Sequence, residues 1–158
     1  MQCHPDCQDS IPQKSHFLVL RAESLTEAAE KIPLEVRQFV LLVAIDASGL
    51  SDEVVLRGAE LLLARGAVYI CVWGHDCERV HDCFDRIVID NKLDLQDDEH
   101  TIMTTWHARE ELDKAACFFR YGAYPTDGYA ETCAHWIAIS IRNDQWAAEI
   151  EKALNSSA

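Results

Sequence analysis

The sequence predicts a three-layer α/β sandwich with a mainly parallel sheet of four to six strands, of the Rossmann-like or flavodoxin-like kind, and three observations predict it. Two apolar runs, FVLLVAI (39–45) and AVYICVW (67–73), lack the alternation of a half-solvated strand, so both read as strands covered on two faces. Between them, SDEVVLRGAELLLARG (51–66) has apolar residues at helical spacing and is bounded by start and stop signals. Beyond this unit, strand-like and helix-like stretches keep alternating, with no repeat of domain size.

Taken in order, residues 1–14 are polar, carry Pro5 and Pro12, and are expected to form a flexible arm ahead of one α/β domain at 15–158. HFLVL (16–20) is a short strand, and SLTEAAEKI (24–32) a helix with Leu25, Ala28, Ala29 and Ile32 on one face and Pro33 ending it. FVLLVAI is central. In segment 51–66, Ser51 caps the helix, acids fill its first turn and Gly66 stops it. AVYICVW then completes a strand, helix, strand unit whose two strands are parallel and adjacent, because parallel neighbours need a crossover of this length.

Farther on, a short helix from about Asp76 to Phe84 leads to RIVID (86–90), read as a third strand, and NKLDLQDDEH (91–100) reads as a solvated loop. TIMTTW (101–106) fits a strand or the start of a helix. AREELDKAACFFRYG (108–122) is helical, with Leu112, Ala115, Ala116 and Phe119 on one face. YGAYPTDGY (121–129) is an exposed turn with tyrosine tips, HWIAISI (135–141) a strand, and NDQWAAEIEKAL (143–154) a closing helix with Trp146, Ala147, Ile150 and Leu154 inward.

At 158 residues the chain is long enough to hide roughly 70% of its unfolded surface in one core. Its 27 acids against 14 bases give a net charge of -13, with the bases scattered singly; that balance repels nucleic-acid backbones and anionic membranes. No apolar run approaches the ~20 residues of a membrane span, and MQCHPDCQDS has neither a basic leader nor an apolar stretch, so a cytoplasmic location is expected. Seven cysteines, an odd number, with Cys71 and Cys117 inside apolar runs, are expected to be reduced thiols.

Polar residues leave the strand ends where open α/β sheets bind ligands. Strand 39–45 delivers Asp46, Ser48 and Gly49, strand 67–73 delivers Gly74, His75 and Asp76, and TTWH delivers Trp106 and His107. Asp46, Ser48, His75, Asp76 and His107 are therefore the candidate ligand-binding residues, with Asp46, His75 and His107 expected to share a cleft. The same residues also suit plain junctions, with Gly74 turning the chain and Asp76 capping the next helix. Cys77 and His81 lie four apart on one helical face and, with His107 and Cys133, are the set to which zinc would go. Close C-x2-4-C pairs are missing there, the Cys77 to Cys83 gap of six is wrong, and no cofactor is expected. Cys77 at a helix start is also a candidate nucleophile, opposed by its acidic neighbours Asp76 and Glu78. Near the start, Cys3, His4, Asp6 and Cys7 lack a completing pair and read as tail residues.

IDASGLSDE (45–53) resembles the metal-ion-dependent adhesion site of von Willebrand A domains at Asp46 and Ser48. Leu50 stands where that pattern has its second serine, and Ser51 falls one residue late. Signatures of nucleotide-binding loops and of hydrolase elbows are absent. Two functions follow as expectations. The first is an acidic interaction or regulatory module that binds a protein partner of basic character through Tyr121, Tyr124 and Tyr129. The alternative is a small enzyme or ligand-binding protein that uses the polar edge of the sheet.

Overall fold

The computed structural model describes residues 16–91, 93 and 98–156, so the N-terminal arm with Cys3, His4 and Cys7 and part of the acidic stretch 91–100 lie outside the described residues. Strands and helices alternate throughout: β1 (His16–Ala22), α1 (Leu25–Lys31), β2 (Gln38–Ala44), α2 (Asp52–Arg65), β3 (Ala67–Trp73), α3 (Cys77–Asp90), β4 (Met103–His107), α4 (Leu112–Tyr121), β5 (Cys133–Ile141) and α5 (Asp144–Asn155). The five strands form one parallel sheet in the order β1-β5-β2-β3-β4. The non-alternating runs became β2 and β3, which pair directly and are buried on both faces.

Side chains that alternate along the strands feed two cores. Leu41, Val43, Ile70, Val72, Ile137 and Ile139 pack under α1, α2 and α3, while Val40, Leu42, Val68, Cys71, Trp136 and Ala138 pack under α4 and α5. This division follows from the strand order. The chain steps in one direction from β1 through β2 and β3 to β4, then turns back to insert β5; a right-handed crossover puts the return helix α4 on the opposite face, where the closing helix α5 also packs.

Local chemistry fixes the helix starts. Ser24, Ser51 and Asn143 each accept a backbone N–H of the first turn, from Glu27, Val54 and Trp146 at 3.1, 3.3 and 3.0 Å. Gly74 has φ +122°, and a Cβ there would collide with the Ile45 carbonyl oxygen, so β3 lies against the β2 exit only because the residue is glycine.

Two expectations are corrected and one open alternative is resolved. RIVID is the second half of α3, because Val80, Phe84 and Val88 continue one buried helical face past residue 84. The strand of this unit is β4, which resolves TIMTTW as a strand. Finally, Cys71, Cys77, Cys83 and Cys133 are free thiols, but Cys117, half-buried on the flank of α4, is disulfide-bonded. Among the described residues no helix is long and apolar enough to cross a membrane.

Candidate functional site

A crevice opens where the connections leaving neighbouring strands part. From β1 and β2 the chain goes to the face of α1 and α2, and from β5, between them, to the face of α5. The resulting hollow has a volume of about 430 Å³, within the usual range of small-molecule sites. Glu23, Ser24, Leu25 and Thr26 come to it from the end of β1, Ile45, Asp46, Leu50 and Val54 from the end of β2, and Ile141, Arg142, Asn143 and Trp146 from the end of β5. An apolar wall thus faces a polar rim that holds two carboxylates and one guanidinium. Among the described residues no thiol and no imidazole lines it.

The rim is oriented from within. Asp46 Oδ1 accepts both the Ser48 hydroxyl at 2.7 Å and the Ser48 backbone N–H at 3.0 Å. Those bonds, the hydroxyl first, and to a lesser degree His75 nearby hold the Asp46 carboxyl below the ordinary range, so it is charged at neutral pH. Arg142 sits in the left-handed region at φ 58°, a conformation that is strained for a residue with a Cβ. Its N–H donates to the Ala22 carbonyl at 2.9 Å, extending the β1–β5 pairing, and its guanidinium lies 3.8 Å from Glu23. Trp146 packs edge-on against Trp73, whose Nε1–H donates to the Glu110 carbonyl at 2.8 Å. The crevice is thereby tied to β3 and to the start of α4.

The other predicted residues do not converge on it. His75 is exposed beside the opening, and its carbonyl accepts from Ala47 N–H at 3.1 Å. Asp76 occupies the cap position of α3 but makes no capping bond. At φ 66° its carboxylate accepts instead from Arg79 Nε at 2.8 Å. His107 is buried toward α4, its ring tilted against Phe118 with centroids 5.0 Å apart, with Nδ1 at 3.0 Å from Glu110 and Nε2 at 3.1 Å from Thr105. Both ring nitrogens are occupied, so the shared cleft of Asp46, His75 and His107 does not form.

The zinc set is also dispersed. His81, in α3, is buried against Thr104 and Trp106 on one face of β4, while His107, itself in β4, lies on the opposite face against Phe118 of α4. Cys133 begins β5 at the amino edge of the sheet, roughly 20 Å along the strands from the carboxyl edge. Among the described residues no group of three or more His, Cys, Asp or Glu is placed to hold a metal ion. Where the sequence resembles an adhesion site, Ser48 is spent on Asp46 and Ser51 caps α2. Cys77 is buried, and desolvation pushes its thiol pKa up, the reverse of what an activated nucleophile needs.

The tyrosines are not exposed tips. Tyr129 is buried and donates to the His100 carbonyl at 3.0 Å, Tyr124 packs on the core beneath α4 and α5, and Tyr121 carries the Arg120 guanidinium over its ring at 4.8 Å. Sequence reasoning missed Arg142, Asn143 and Trp146. It also missed Arg79, which lies three residues after Asp76 on the first turn of α3, a spacing that marks an ion pair.

One family model, that of the domain of unknown function DUF7684, matches residues 17–157, the span from β1 to the end of α5. No curated protein and no solved structure matches the chain.

Proposed function

The chain belongs to the DUF7684 family of domains of unknown function, and we propose that it is a ligand-binding protein whose site is the crevice beyond β1, β5 and β2. The observation that carries this reading is the position of the hollow: it lies at the carboxyl ends of parallel strands, at a point where the connections diverge to opposite faces. The lining supports a small amphiphilic ligand. Leu25, Ile45, Leu50, Val54, Ile141 and Trp146 offer an apolar wall, while Asp46 favours a cationic group such as an amine. With Oδ1 of Asp46 already taken by Ser48, its Oδ2 is left to receive such a donor. Arg142 across the opening suits an anionic or hydroxyl-bearing end of the same molecule.

The strain at Arg142 supports the same reading, since a long residue kept in a left-handed conformation at a cavity mouth is the kind of cost that persists where a side chain has a task. A screen of small amines and amino acids against the intact chain, read through the Trp146 indole N–H signal, tests the proposal. Selective shifts of that signal and of Asp46 and Asn143 are expected. Shifts confined to residues outside the crevice, or none, would refute it.

A further inference from the structure

Among the described residues strand β4 ends the sheet, so one row of its backbone N–H and C=O groups has no neighbouring strand there. Edges of this kind are ordinarily guarded by shortness, by Lys, by Pro, by a bulge or by a covering loop; β4 is short at five residues, and its sequence MTTWH contains no Lys or Pro. Its register against β3 runs unbroken from Met103 to His107. Apolar side chains are instead displayed there: Met103 is 39% and Trp106 45% exposed, and Ile89, near the end of α3, is 72% exposed.

Trp106 is held in place from below. Its ring packs at a tilt of 56° against His81, with centroids 4.5 Å apart, and His81 is itself fixed by Asp82 at 2.9 Å and by Thr104 at 3.0 Å. Thr104 in turn donates to Asp85 at 2.6 Å. An exposed indole is therefore presented beside two carboxylates that remain 67% and 41% exposed. The nearby base Arg86 is directed to Asp90 at 3.7 Å. An aromatic face flanked by carboxylates is the environment that attracts a Lys or Arg side chain.

We propose that the free edge of β4 is a docking strand for an extended, basic segment of a partner protein. The segment adds as a further strand, with an Arg or Lys laid over Trp106 and directed at Asp82 and Asp85, and with alternate apolar residues on Met103. Charge complementarity selects this occupant. A net charge of -13 opposes pairing with a second copy of the chain and steers basic segments inward. Strand addition supplies affinity through the main chain and specificity through the alternate side chains.

The test uses the intact chain and two short fluorescein-labelled peptides, one alternating arginine with valine and one alternating glutamate with valine. Fluorescence polarisation gives affinity, and hydrogen exchange of the unlabelled complex gives location. The basic peptide is expected to bind, more weakly as salt is raised, and to slow exchange at Met103–His107, while the acidic peptide does not bind. Trp106→Lys is expected to weaken binding by about tenfold or more, the loss typical of a buried aromatic anchor. Because Trp106 also packs on His81, Met103→Lys serves as a second variant with a similar direction of effect, and a thermal melt checks that each is folded. Failure of the basic peptide to bind, equal binding of both peptides, protection elsewhere than β4, or unchanged affinity in both folded variants would overturn the proposal.

Discussion

Arg79 joins four acceptors: Asp76 at 2.8 Å, Asp52 at 2.8 Å, and the carbonyls of Ala47 and Leu50 at 2.6 and 3.0 Å. It fastens the β2–α2 loop, which carries Asp46, to the start of α3. Lysine offers a point charge and cannot span this fork, so Arg79→Lys should cost about 2 kcal/mol of stability in a denaturant titration, with the loss traceable to the broken fork on Asp76 and Asp52 and to the Leu50 carbonyl, since the Ala47 carbonyl keeps the Leu50 N–H at 3.0 Å. A cost near zero would mean that the loop holds itself. The hydroxyl of Tyr124 presents the opposite case, being buried with no hydrogen-bond partner among the described residues. Tyr124→Phe removes that unsatisfied group and should raise stability by about 1 kcal/mol; a decrease would reveal a partner for the hydroxyl. Residue roles of this kind are only half legible in a sequence. Asp76 falls where a cap belongs, and nothing in its neighbours announces that its backbone is left-handed or that Arg79 takes its carboxylate.

Elements were legible where their pattern is long and uniform. FVLLVAI and AVYICVW have no polar face, which only a strand buried on two sides explains, and they became β2 and β3. RIVID misled because a five-residue apolar segment fits a strand as well as a buried helical turn; the i, i+4 series Val80, Phe84, Val88 decides for the helix. The junction between β3 and α3 rests on Gly74, where both the left-handed φ and the contact with the Ile45 carbonyl exclude a side chain. Gly74→Ala should therefore cost roughly 3 kcal/mol, from backbone strain and overpacking together, read as a lowered unfolding midpoint. At the amino edge, His135 lies 5.3 Å from His16, and burial first, then His16, lowers its pKa, with Glu35 opposing. The unfolded chain then takes up the proton at a higher pH than the folded one, so protonation favours unfolding. Stability should fall as pH drops from about 7 through the ordinary histidine range near 6.5, and less steeply in His135→Gln. Identical slopes would remove His135 from the account.

On the scale of the whole molecule, the crevice is a product of strand order. Asp46 could be singled out because it follows a recognisable strand. Arg142, Asn143 and Trp146 could not be joined to it, because β5, the last strand in the sequence, is inserted between β1 and β2 in space. Alternating strands and helices announce a parallel sheet, yet they leave its order open, and the order decides which strand ends meet. His107 shows the same limit, since it leaves a strand end as expected but turns toward α4 and away from Asp46. The most direct measurement is calorimetric binding of the tightest amine found in the screen to the wild-type chain and to Asp46→Asn and Arg142→Gly. The account predicts that Asp46→Asn loses about tenfold in affinity, as expected for a charge-assisted hydrogen bond, and that Arg142→Gly binds more weakly while being more stable by about 1 kcal/mol, its left-handed strain relieved. Equal affinity across the three proteins, or equal binding of an uncharged isostere, would contradict it.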